Sequence, residues 1–199
     1  MLVAAAASAA PQGANERLSS TLAVEKRGGQ ERETLEFRAT ILEQKEGEEP
    51  HVCMCRAMLF RVLQMAAQRR AGGVLKIDEI KALRTGWPSE AYQEVLGEML
   101  GLPRNRIQLT SEGLKCESPV VENAWWQIQF TDGKAITVWA TPQMLPEEFV
   151  KLRAEHKRGK KGPEGKKDPE VKKALQAMKE QQVAKMDCVP LNQLFVVQE

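Results

Sequence analysis

The residues best placed to do chemistry by charge lie between positions 157 and 173. Lys157, Arg158, Lys160, Lys161, Lys166, Lys167, Lys172 and Lys173 stand against Glu164, Asp168 and Glu170, with Gly159, Gly162 and Gly165 among them. Cations on so pliant a backbone can adapt to a polyanion, and every phosphate they neutralised would make binding fall with salt. The stretch has no aromatic side chain on which a base could stack, so any contact with RNA or DNA would be to the backbone. Lys157-Arg158-Gly159-Lys160 also has the form of a short nuclear-import signal. A solvated spacer between two folded parts needs the same composition, and both readings stand.

Other chemistries find less to work with. His51-Val52-Cys53-Met54-Cys55 invites a metal site, but zinc sites usually place two to four residues between cysteines and need four ligands. On a helix Cys53 and Cys55 would point about 200° apart, beyond a shared ion. They read as small apolar packing groups, with Cys116 and His156 the only distant complements. A nucleophile would need a histidine base, and the two histidines sit near irregular segments, away from any turn that would expose a Ser or Cys. Gly159 to Gly165 lacks the spacing of a phosphate-cradling loop. The paired acids Asp78-Glu79 and Glu147-Glu148 fall at helix starts, where the helix dipole already favours carboxylates. No catalytic, cofactor or metal residues are assigned, and a non-enzymatic protein is expected.

Composition sets the frame. The chain has 199 residues with 29 basic against 27 acidic side chains, a formal charge of +2 that points neither to nucleic acid nor to a membrane surface. At 42% hydrophobic content a core forms, aliphatic and methionine-rich because there are only five phenylalanines and one tyrosine. Cys53, Cys55, Cys116 and Cys188 are too scattered for a disulfide framework, so free thiols in a reducing compartment, nucleus or cytoplasm, are expected. No apolar run approaches the roughly 18 residues of a membrane span. The Ala/Ser-rich start leaves an organellar transit peptide open.

Residues 1–33 show no sustained period and read as disordered, followed by a core over 34–156. Leu35, Phe37, Ala39 and Ile41 alternate like a strand. From His51 to Arg70 the step becomes helical, through Val52, Cys55, Leu59, Val62, Leu63 and Ala66, with Gly72-Gly73 as the cap. Val74 to Lys76 reads as a bridging strand. Ile77, Ile80 and Leu83 predict a short helix, and Tyr92, Val95, Leu96, Met99 and Leu100 another. Ile107 to Thr110 and Leu114 to Glu117, parted by Ser111-Glu112-Gly113, read as a hairpin.

Residues 124–140 hold three of the four tryptophans. Two strands meet at Asp132-Gly133. A three-residue loop with Gly133 as the bulge opposes Phe130 to Lys134, and gathers Trp126, Ile128, Phe130, Ile136, Val138 and Ala140 on one face. A two-residue loop would scatter them. Helices follow from Pro146 and, past a basic linker at 157–168, from Pro169 within a C-terminal helix and tail at 169–199. The stripe Val171, Leu175, Met178, Val183 is most economically covered by the protein's own core.

The order helix, short strand, short helix, helix, hairpin across 51–118 resembles a winged helix. The resemblance is one of topology and covers about a third of the chain. It implies that the helix ending at Leu100 is the recognition element and the hairpin a wing. That helix exposes Glu90, Gln93, Glu94 and Glu98 and carries no Lys or Arg, which disfavours major-groove docking. Arg104 and Arg106 before the wing and Lys115 on it offer a modest cationic strip. A rival arrangement lays the same helices on a sheet built from the two hairpins. The expected fold class is α+β. The expected function is an interaction or adaptor protein, an accessory subunit of a larger assembly. Protein partners are expected, and RNA or DNA is the alternative contact of the basic segment and the wing.

Overall fold

The computed structural model describes residues 21–26, 28–29, 31–43, 51–87, 91–110, 112–158 and 169–199. Strands β1 (Thr21–Glu25) and β2 (Arg32–Glu36) form an antiparallel hairpin with Leu22 opposite Leu35. The span expected to be disordered therefore contains two strand segments. Only Leu22 and Val24 are buried in β1, a pattern too short to stand out beside Ala- and Gly-rich sequence; packing supplies the order. The strand expected through Ile41 stops at Glu36, and one helical turn, α1 (Phe37–Thr40), takes over. Phe37 and Ile41, four apart, are both buried. Their positions fit alternation and a helical turn equally well, and the pattern alone could not separate them.

Strands β3 (Leu42–Glu43) and β4 (His51–Val52) pair briefly and lead into α2 (Met54–Gln68). Every residue from Ala57 to Ala67 is buried, so this helix has no solvent face over that length. Such a helix is the centre of a fold, not a surface element with an apolar stripe. Gly72, at φ 77°, turns the chain out of it, a backbone conformation at little cost only for glycine. Strand β5 (Val74–Lys76) then pairs in parallel with β1, giving a three-stranded sheet in the order β2-β1-β5.

The short helix expected around Ile80 is a strand, β6 (Ile80–Thr85), after a single 3-10 turn at Ile77–Glu79. Its deceptive spacing has a cause. Strand β8 (Trp125–Phe130) sets Phe130 opposite Ile80 but Gln129 opposite Ala82, so Lys81 is the extra residue of a bulge. The bulge shifts the alternation by one and turns both Ile80 and Leu83 inward. Helix α3 (Ala91–Leu100) forms where expected, burying Tyr92, Val95, Leu96 and Leu100. Strand β7 (Ile107–Leu109) pairs in parallel with β6, and residues 114–117 form no strand, so the expected second hairpin does not close. With a strand in place of its second helix and no wing, residues 51–118 do not have the winged-helix order.

The tryptophan hairpin takes the bulged register. Strand β9 (Ala135–Ala140) sets Val138 opposite Trp126 and Ile136 opposite Ile128, the Phe130 N–H donates to Lys134 O at 2.9 Å, and Gly133 has φ 85°. Helices α4 (Glu147–Arg158), α5 (Pro169–Cys188) and α6 (Leu191–Leu194) lead to β10 (Phe195–Gln198), antiparallel to β9. The larger sheet runs β10-β9-β8-β6-β7, with only β6 and β7 parallel. The fold is α+β, two mixed sheets and the flanking helices around α2. Helix α5 packs on α2 and α4, and Leu175, Val183 and Met186 belong to the same core cluster as the tryptophan hairpin.

Two polar groups interrupt the apolar circumference of α2. Arg61 donates through Nη1 to Gln64 Oε1 at 2.6 Å and through Nη2 to the Val189 carbonyl at 2.9 Å. Gln64 Nε2 donates to the Thr21 carbonyl at 2.9 Å. The pair thus ties the start of β1 and the end of α5 to one helix. Replacing Arg61→Met roughly keeps the volume but removes the donor to the buried Gln64 Oε1 and to the part-buried Val189 carbonyl, which is expected to cost about 1–3 kcal/mol in urea unfolding and to speed amide exchange after Val189. Close packing dictates a second outcome. The Gly86 N–H donates to Trp125 O at 3.2 Å, and a Cβ on Gly86 would overlap the Trp125 indole, lying 2.8 Å from Cε2. Gly86→Ala is expected to lower stability by about 1–3 kcal/mol, read as a shifted urea midpoint at constant slope.

Candidate interaction surfaces

The cations expected to form a strip are dispersed. Arg104 is exposed, with Nη2 4.0 Å from Glu94 Oε1. Arg106 is half-buried and donates from Nη1 to the Ile80 carbonyl at 3.0 Å, a bond that fixes the turn before β7. Lys115 is exposed on the irregular stretch after β7, where it lines a shallow hollow with Gln127, Thr137 and Trp139. Strands β7 and β9 lie three spacings apart, roughly 14 Å, so the structure does not bring Lys115 beside Arg104 and Arg106.

In the basic segment, Lys157 and Arg158 end α4, with side chains outside the described set; Lys160, Lys161, Lys166 and Lys167 lie outside the described residues. Lys172 and Lys173 are exposed on the opening turns of α5. Helices α4 and α5, which flank the basic connection, pack against each other.

The residues weighed for catalysis and metal binding have structural surroundings. Cys53 immediately precedes α2, and Cys53, Cys55 and Cys116 are each half-buried; Cys188 is exposed. Among the described residues no three His, Cys, Asp or Glu side chains gather as a metal site. Asp78 accepts the Gly28 N–H at 2.7 Å and so holds the β1–β2 turn. Glu147 pairs with Lys151 at 2.7 Å along α4, and this hydrogen bond holds the Glu147 carboxyl below its ordinary range. Trp125 and Trp139 are buried, so neither serves as an exposed anchor. Tyr92 is also fully enclosed, edge-on to Trp126 with centroids 6.2 Å apart, and burial raises its hydroxyl well above the usual phenol value.

Sequence reasoning missed the most organised charged group. Arg70, just past α2, donates from Nη1 to Asp132 Oδ2 at 2.9 Å and from Nη2 to Glu79 Oε2 at 2.7 Å. Its guanidinium lies 4.2 Å from the centroid of the Phe130 ring. One planar cation therefore joins the end of α2, the turn before β6 and the tip of the tryptophan hairpin. No spacing rule connects positions 70, 79 and 132; only the end of the helix and the Asp-Gly turn were separately legible. Beside this fork opens a cleft of ≈ 710 Å³, lined by Arg69, Lys76, Lys134 and Glu199 together with the Arg70 group and short apolar walls. A second cation–ring contact, Arg153 at 4.2 Å from the Trp87 centroid, closes α4 over the start of the α3 region.

Compared with family models, curated proteins and solved structures, the chain matches none. Among the described residues no helix is long and apolar enough to cross a membrane.

The Arg70 fork predicts a pH response. Hydrogen bonding from Arg70, then from the Lys134 N–H, holds the Asp132 carboxyl below its ordinary value. A depressed folded-state value stabilises the fold above the unfolded-state value and is lost as pH falls through the folded one. Between about pH 5 and pH 3 the parent should therefore lose more unfolding free energy than Asp132→Asn, as measured by urea titration at each pH.

Proposed function

We propose that this protein is a non-enzymatic interaction subunit of a nucleic-acid-containing assembly, which it meets through the basic connection between α4 and α5. The observation that carries the reading is the concentration of Lys and Arg over 157–173, continued onto α5 by exposed Lys172 and Lys173. Cations at the start of a helix oppose its dipole, so Lys172 and Lys173 do nothing for the helix itself and suit an external anion. The connection is flanked on both sides by helices that pack against each other. Arg104, Arg106 and Lys115 would contribute at most separate, weaker contacts, since Arg106 already serves the Ile80 carbonyl. Free thiols fit a reducing compartment such as the nucleus or cytoplasm.

The test is a titration of the full chain with labelled single- and double-stranded oligonucleotides at about 50 and 200 mM salt. Binding should weaken steeply with salt and be lost when the Lys and Arg of 157–173 are changed to Gln. Binding that survives this change would move the contact to the folded body. Absence of binding by either chain would leave protein docking as the function.

A further inference from the structure

An open strand margin borders the cleft beside Arg70. In the three-stranded sheet β5 is an outer strand, so one side of Val74–Lys76 has no neighbouring strand among the described residues. In the larger sheet, the start of β9 brings Ala135 and Ile136 to the opposite wall of the cleft. Val74, Lys76, Ala135 and Ile136 all line the cleft. An outer strand offers backbone donors and acceptors at regular spacing, the template onto which another chain can add. The Arg70 fork fixes the hairpin tip against the end of α2 and the turn after β5, so the two walls of the cleft are held together.

Charge narrows the occupant. Arg70 is committed to Glu79 and Asp132, which leaves Arg69, Lys76 and Lys134 to face an incoming ligand. Their acidic neighbours hold them loosely: Arg69 is 3.5 Å from Glu199, and Lys76 is 3.6 Å from Glu79, with all four side chains at least a third exposed. Such pairs are worth little and exchange readily for an incoming carboxylate. We infer that this cleft docks an extended acidic peptide of a partner protein, added as a strand along β5, its carboxylates meeting Arg69, Lys76 and Lys134. Successive side chains of an added strand alternate, so a recognised segment would carry an acid at every second position.

The full chain is titrated with a fluorescein-labelled peptide of about eight residues alternating Glu with Val, read by fluorescence polarisation and amide hydrogen exchange. Saturable binding is expected, with slowed exchange at residues 74–76 and 135–136. Lys76→Glu with Lys134→Glu should weaken it about tenfold at low salt. Lys76→Gln with Lys134→Gln, whose urea midpoint is compared with the parent's, should weaken it less but in the same direction. A peptide methylated at alternate backbone nitrogens should not bind. Neutralising the cations of 157–173 should leave peptide binding unchanged, which separates this site from the proposed nucleic-acid contact. Absence of saturable binding, equal binding of the methylated peptide, or indifference to the lysine changes would each overturn the proposal. So would displacement of the peptide by single-stranded RNA that protects the same residues, which would make the cleft a nucleic-acid site.

Discussion

Enclosure of α2 on every side from Ala57 to Ala67 is the constraint from which the rest follows. A helix with no solvent face needs cover around its full circumference. Here that cover comes from strands made before it, strands made after it, and helices far along the chain. Apolar contact alone would hold such a helix without fixing its rotation or its register against its neighbours. The two polar groups at Arg61 and Gln64 supply that specification, since their hydrogen bonds to the Val189 and Thr21 carbonyls suit one placement of β1 and of the α5 end. A buried guanidinium is costly, and its value lies in geometry more than in net free energy.

The hairpin at Trp125–Phe130 and Ala135–Ala140 was legible down to its register, because one face had to be wholly apolar and a single-residue slip would have broken it. The boundaries of α2, α3 and α4 were also close to their observed positions, where helical spacing met a Gly or Pro stop. What failed were short elements whose partners lie far away. Ile80 and Leu83 mimicked a helical step because Lys81 is bulged, and the bulge exists only through pairing with β8. Ile107 was assigned to a local hairpin, yet its partner is Leu83. Leu22 and Val24 carried too few residues to announce a strand until α2 lay against them.

The candidate surfaces divide along the same line. The basic connection could be read directly, since charge density is a property of consecutive residues. The Arg70 fork and its cleft could not, since their parts come from the end of α2, the turn before β6, the hairpin tip and the residue beyond β10. Arg70 itself was visible only as the end of a helix. Its significance depends on the Phe130 ring and the Asp132 carboxylate arriving beside it, and that arrival is set by the hairpin register.

Parallel pairing of β1 with β5 has a kinetic meaning. Ala23 must find Val74 across the whole of α1 and α2, so this contact closes a long loop with an entropic cost that a local turn avoids. The β1–β2 hairpin, two strands alone, has little stability of its own in water. Its burial depends on α2 and β5, both of which follow it in the chain. Strand β9 meets β10 across a still longer span, Ala140 with Phe195, so both sheets are completed by partners distant in sequence, a topology associated with slow folding.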